Sequence, residues 1–155
     1  MQEGIEIGKY TIIDEPFYFG SGNWIGNYVH IRPEVEIGDR SEIRDYAFIG
    51  IGVKIGRNSR IYQYCNIGAW SKIGDDCFIG VGTVFANDKG LEWPDQSDFH
   101  PNPPTVQDRV RIGMKAIILP GVILAEGCRI GAGAVVVKST EPGRTYVGNP
   151  ARILK

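Results

Sequence analysis

The chain reads as an all-β parallel solenoid, and three features of its 155 residues support that reading. A large apolar residue recurs every six positions, a small or β-branched residue follows four places later, and 21 glycines punctuate the pattern. Period six matches neither a 3.6-residue helix nor a two-sided strand, and the β-branched content favours short strands. Self-similarity at a fixed period marks a stacked repeat architecture.

The lattice runs from Ile7 and Ile13 through every sixth residue to Ile79 and Phe85, fourteen hexads of which twelve carry isoleucine. Its small partners include Val29, Ser41, Ala47, Ser59, Ser71 and Thr83, and both positions are expected to point inward. Glycine often follows the large residue, as at Gly8, Gly38, Gly50 and Gly74, where the chain is expected to turn through conformations that punish a Cβ. Cys65, Cys77 and Cys128 all occupy the small position and read as core residues rather than nucleophiles.

The pattern breaks after Phe85 and resumes at Val106, continuing through Ile112, Ile118, Leu124, Ile130 and Val136. Residues 86–105 are therefore read as a loop extruded from a single domain spanning 1–155, and residues 141–155 as a C-terminal tail. The loop is polar and carries Pro94, Pro101, Pro103 and Pro104; loops this long are frequently functional. Three hexads per coil give about 18 residues, so the chain makes nearly seven coils spaced ~4.8 Å, a stack roughly 30 Å tall.

Tyr10, Tyr28, Tyr46 and Tyr64 lie 18 apart and support that coil length independently of the isoleucines. They read either as stacked rings reinforcing an outer corner or as a ligand or subunit contact. Trp24, Tyr62, Trp70 and Phe78 fall at outward positions, an aromatic surface that suggests a buried subunit interface.

With 17 basic and 18 acidic residues the formal net charge is −1, so no field attracts nucleic acid or an anionic membrane. The longest apolar stretch, 116–125, is broken by Pro120 and Gly121 and is too short to cross a bilayer. Met1-Gln2-Glu3-Gly4 has neither the basic region nor the apolar run of a secretory signal, so a cytoplasmic location is expected. Two histidines, His30 and His100, and no Cys-x-x-Cys spacing give no basis for a metal site.

Four segments carry a family likeness. They are Ile73-Gly74-Asp75-Asp76-Cys77-Phe78-Ile79-Gly80, the loop entrance Phe85-Ala86-Asn87-Asp88, Ile130-Gly131-Ala132-Gly133-Ala134, and the ending Val147-Gly148-Asn149-Pro150-Ala151-Arg152. With the hexads, they resemble the hexapeptide-repeat acyltransferases, and within that superfamily the sugar-nucleotide N-acetyltransferases. The resemblance implies a left-handed parallel β-helix, an exception to the usual right-handed crossover. It also implies acetyl-CoA as donor, a nucleotide-linked amino sugar as acceptor in surface polysaccharide biosynthesis, and a homotrimer with active sites between subunits. Some relatives carry histidine where this chain has Val81, so no histidine role carries over there.

Acyl transfer from a thioester to an amine needs an acceptor held against the carbonyl, donors aimed at the developing oxyanion, and a route for the amine proton. His100, in the loop, is a candidate base, and Asn87 the second catalytic candidate. Asn87 and Asp88 end the regular coil, where they either contact the acceptor or make Asx turns. Trp93 offers a ring to a sugar or base. Gly113, Gly131, Ala132 and Gly133 leave room for pantetheine or simply make corners, and the resemblance sets Lys138 and Arg152 near the phosphates of CoA. His30, about 14 Å along the axis from Asn87, reads as a surface histidine.

Two other readings stay open. One is O-acetylation of a sugar hydroxyl, whose higher pKa makes His100 indispensable as base. The other is a non-catalytic trimeric β-solenoid scaffold, because one fold hosts many functions.

Overall fold

The structure, a computed structural model, describes residues 4–90 and 101–155. Among these residues there are 22 short strands and no helix. Most strands are two residues long and end on a lattice position, as in the successive strands Arg60–Ile61, Asn66–Ile67 and Lys72–Ile73. Each pairs in parallel with the strand one coil further on, so Ile25 stands beside Ile43, Ile43 beside Ile61 and Ile61 beside Ile79. This is the parallel β-solenoid of the hexads, in the left-handed β-helix form that the family resemblance implies, with about seven turns.

The strands form three faces of nine, seven and six strands. The first face begins at Glu6–Ile7 and includes Phe78–Ile79, Arg111–Ile112 and Arg129–Ile130. The second begins at Ile12–Ile13 and includes Phe48–Ile49, Val84–Phe85 and Ile117–Ile118. The third begins at Phe17–Phe19 and includes Lys54–Ile55, Thr105–Val106 and Ile123–Leu124.

Both lattice positions fill the interior. Ile25, Ile43, Ile61, Ile79 and Ile112 are fully buried from one face, Ile31, Ile49, Ile67 and Ile118 from the next. Each such side chain contributes about 1.5–3 kcal/mol relative to exposure. On the first coil Ile7 is half exposed.

The small positions at the corner between the third and first faces form a hydrogen-bonded ladder. The Asn23 side-chain oxygen accepts from the Ser41 N–H (2.8 Å), Ser41 Oγ from the Ser59 N–H (3.0 Å), and Ser59 Oγ from the Cys77 N–H (2.9 Å). Ser41 and Ser59 also donate to the carbonyls of Gly56 and Gly74, both at 2.8 Å. Buried hydroxyls are tolerated here because each satisfies two backbone groups.

The glycines after the large residues serve a different purpose from the one their spacing suggests. Gly8, Gly38, Gly50 and Gly74 do not take positive φ. Instead, a Cβ on Gly50 would lie 2.6 Å from the Ala69 nitrogen, and one on Gly38 would lie 2.6 Å from the Arg57 nitrogen. Clearance between coils, not backbone torsion, excludes the side chain. The positive φ falls two residues later, at Tyr10, Arg40 and Asp76 among others.

The tail closes the last coil. Thr145–Val147 adds to the first face, and Arg152–Ile153 returns antiparallel to it, pairing Val147 with Arg152 and Tyr146 with Ile153. Between them the Gly148 carbonyl accepts from the Val135 N–H (3.0 Å), and the Ala151 N–H donates to the Val135 carbonyl (2.8 Å). The edge of the final coil is thereby occupied.

Candidate functional site

At the corner between the second and third faces the coil repeat is interrupted. Val84 pairs with Ile117 and Lys72 with Thr105, steps of 33 residues where 18 is the rule, an excess of 15. The described ends of the excess meet in a neck: the Asn102 N–H donates to the Asn87 carbonyl at 2.8 Å, and the Asn102 carbonyl accepts from the Gly121 N–H at 2.6 Å. Asn87 lies 18 residues after Ala69 and Asn102 lies 33 after it, each one coil further on, so both ends of the excess stand at the same corner position of one layer.

Asn87 packs against the layer below it, where a Cβ on Gly68 would meet the Asn87 Cβ at 3.2 Å. It borders a groove of about 490 Å³ on the second face, whose lining includes Arg32, Phe48, Asn66, Val84 and Phe85. The groove thus has an apolar floor, an amide at one end and a guanidinium at the other. Asp88 is half-buried and accepts from the Gly90 N–H at 3.1 Å, an Asx-type turn at the start of the insertion. Trp93 and His100 lie outside the described residues.

Gly113 and the run Gly131-Ala132-Gly133 stack at the corner between the first and second faces. A Cβ on Gly113 would lie 2.5 Å from the Ala132 nitrogen, so coil clearance explains that glycine. Gly133 differs, with φ of +67° and nothing within 4 Å of where a Cβ would stand. Its neighbour Ala132 is exposed. Arg152 joins this region through Val147, which pairs with it and whose Cγ1 stands over Gly131. Lys138 follows the second-face strand Val135–Val136, and the chain beyond it joins the third face, where the Thr140 N–H donates to Ile123. The structure therefore groups four of the suggested donor residues with Arg152 and sets Lys138 on a different corner.

Two features were not evident from residue order. Asn102 closes the neck, and its signal is its register 33 residues after Ala69. His30 is not a solitary surface group: its Nε2 lies 3.1 Å from Asp14 Oδ2, and its ring meets Phe48 edge-on at 5.6 Å. Arg32 Nε lies 3.5 Å from the same carboxylate. Asp14, His30 and Arg32 thus extend the polar rim of the groove through Phe48 and Arg32. Of the outward aromatics, Trp24 and Tyr62 flank the Arg44 guanidinium at 5.0 and 5.4 Å, and Tyr62 packs on Phe78 at 4.8 Å.

Burial pushes the Cys65 and Cys77 thiols up to about 11, and raises that of Cys128. Thiols so placed are neutral and unreactive near pH 7.

The profile of the bacterial transferase hexapeptide family (six repeats) matches residues 18–50, 52–87 and 103–138. The chain belongs to the hexapeptide-repeat transferases. In this hexapeptide-repeat transferase two matched segments stop at Asn87 and resume at Pro103, so the 15 residues left out between them are the excess in the coil repeat. The chain is 38% identical over 79 residues to 2,3,4,5-tetrahydropyridine-2,6-dicarboxylate N-acetyltransferase of Brevibacillus brevis, covering 51% of this chain and 30% of that protein. The chain spans less than a third of the length of the curated relatives it matches. Two solved structures share the fold. The polysialic-acid-specific acetyltransferase NeuO aligns with a TM-score of 0.69 at 20% identity, over 99% of this chain and 79% of that one. A Vibrio cholerae hexapeptide-repeat acetyltransferase complexed with acetyl-CoA aligns at 0.50 and 23% identity, over 98% and 70%.

Proposed function

We propose that this hexapeptide-repeat transferase moves an acetyl group from acetyl-CoA to the amine of a nucleotide-linked amino sugar, acting in the cytoplasm as a homotrimer with its sites between subunits. The observation that carries the reading is the neck at Asn87 and Asn102, which roots a 15-residue insertion beside a groove of about 490 Å³. A structural solenoid has no need of such a break in its repeat. The family, and a relative named as an N-acetyltransferase, support the reaction class.

The open corner at Gly133 and the exposed, small Ala132 suit the approach of an extended pantetheine, and Arg152 suits its phosphates. Acetyl-CoA supplies an activated thioester carbonyl when bound. The chain's own part is to hold the acceptor. The Asn87 amide both donates and accepts, so it can fix a sugar hydroxyl or the amine itself, and Asp88 offers a carboxylate beside it. A neutral amine attacks without strong base help; as the C–N bond forms the C–S bond breaks, CoA leaves as its thiolate, and the amine proton passes to His100 or to water and so on to that thiolate.

The test is an assay of CoA thiol release with a panel of amino-sugar nucleotides. Asn87→Ala is expected to lower kcat/KM by about 100-fold, the scale of losing one positioned polar group. His100→Ala separates acceptors: a loss below about tenfold fits an amine, whereas near-abolished turnover fits transfer to a hydroxyl. Failure of every amine acceptor to release thiol contradicts the proposal.

A further inference from the structure

The corner between the first and second faces carries one left-handed residue per coil. Four successive rungs are Tyr10, Tyr28, Tyr46 and Tyr64, at φ of 59°, 55°, 61° and 60°. Their rings stack at centroid distances of 4.9, 5.0 and 5.1 Å, with interplanar angles of 20°, 2° and 6°. The next rung is Gly82, with φ of 68° and no ring, and the one after it is Lys115 at 54°. The backbone column continues unbroken, for the Gly82 N–H donates to Gln63 at 2.9 Å and the Lys115 N–H to Val81 at 2.7 Å. Exposure follows the rungs: Tyr28 and Tyr46, covered on both sides, are each 48% exposed, and Tyr64, open toward Gly82, is 60% exposed.

The missing rung has the dimensions of a planar ring. Two coils separate Tyr64 from Lys115, about 10 Å along the axis. A ring seated midway stands about 5 Å from each neighbour, the centroid spacing of the tyrosines themselves. The nearest group to a Cβ built on Gly82 is Lys115 Cγ at 3.5 Å, so the slot has an aromatic floor and an aliphatic roof ending in an ammonium. Lys115 has no carboxylate partner among the described residues. Elsewhere the fold fills such a gap itself: at Gly52, with φ of 65°, the Trp70 ring occupies the space, its Cδ1 2.6 Å from where a Cβ would stand. Among the described residues, only that Lys115 Cγ comes within 4 Å of a Cβ at Gly82, an ordinary contact that leaves room for a ring.

We propose that the Gly82 slot binds the heterocyclic ring of a nucleotide, stacked on Tyr64, with the Lys115 ammonium drawing its phosphate. A flat π face accepts any base, and a cation at the rim selects the phosphorylated form. The slot lies across the second face from the Asn87 groove, and its occupancy does not depend on acetyl transfer. Both an acyl-CoA and a nucleotide-linked sugar contain this chemistry.

Calorimetric titration with AMP, UMP and ribose 5-phosphate tests the proposal and separates the two sources. Saturable binding of a nucleotide, with ribose 5-phosphate at least tenfold weaker, is expected; preference for AMP points to the coenzyme, and preference for UMP to the sugar nucleotide. Gly82→Tyr continues the ladder at a φ that four tyrosines already hold, so it is expected to keep the parent Tm while weakening nucleotide binding at least tenfold. Tyr64→Ala is expected to weaken it by about tenfold. Unchanged affinity in Gly82→Tyr, equal binding of ribose 5-phosphate, or no binding of either nucleotide overturns the proposal. A fall in molar mass of Gly82→Tyr by light scattering, without nucleotide binding by the parent, would assign the slot to a second copy of the chain and overturn it as well.

Discussion

The Asn102 N–H and the Asn87 carbonyl meet at 2.8 Å and tie together the two ends of the insertion at one corner of a single layer. The hexad lattice is therefore continuous across the insertion. Removing residues 88–102 leaves Val106 six positions after Phe85, which restores the repeat. The shortened chain is expected to melt within a few degrees of the parent by circular dichroism, and to lose acetyl transfer. Global unfolding would show that the insertion belongs to the fold rather than to the site.

The buried serines make different numbers of bonds and so predict different costs. Ser59 Oγ accepts from the Cys77 N–H and donates to the Gly74 carbonyl, whereas Ser71 Oγ donates to the Gly68 carbonyl at 2.7 Å within its own corner. Ser59→Ala strands a buried N–H and is expected to cost about 2–3 kcal/mol, against about 1 kcal/mol for Ser71→Ala, by denaturant titration. Equal costs would contradict the inter-coil ladder.

The extent to which sequence foretold structure differs between fold and site. The solenoid was legible because one period governs every coil, so each isoleucine from Ile25 to Ile79 repeats the same information. The glycines were legible in place and misleading in cause: Gly38 and Gly50 are excluded from bearing a Cβ by the next coil's backbone, a contact 19 residues away that no local rule reveals. Asn102 is not legible for the same reason, since its partner Asn87 lies 15 residues away in the sequence. The pairing of His30 with Asp14 likewise crosses one coil. Asn87 was readable from its place at the loop entrance, but the groove beside it requires Phe48 and Asn66 from lower coils.

The buried thiols predict a pH dependence. Thiols that ionise at 9.0 when free are held to about 11 at Cys65 and Cys77, chiefly by burial. Between those values the unfolded chain loses protons that the folded chain keeps. Stability is therefore insensitive to these groups below pH 9 and falls as pH rises from 9 to 11, on the order of 2–3 kcal/mol per thiol. Chemical denaturation across that range checks it, with a shallower fall in the variant carrying both Cys65→Ala and Cys77→Ala. The same burial predicts negligible reaction of folded protein with a thiol reagent at pH 8.

Titration of the intact protein with acetyl-CoA by calorimetry tests the central claim, because donor binding requires no knowledge of the acceptor. One saturable site per chain is expected, with Arg152→Ala weakening it by about tenfold through loss of a charge-assisted phosphate contact. No detectable binding by correctly folded protein would contradict the transferase reading and favour a structural solenoid.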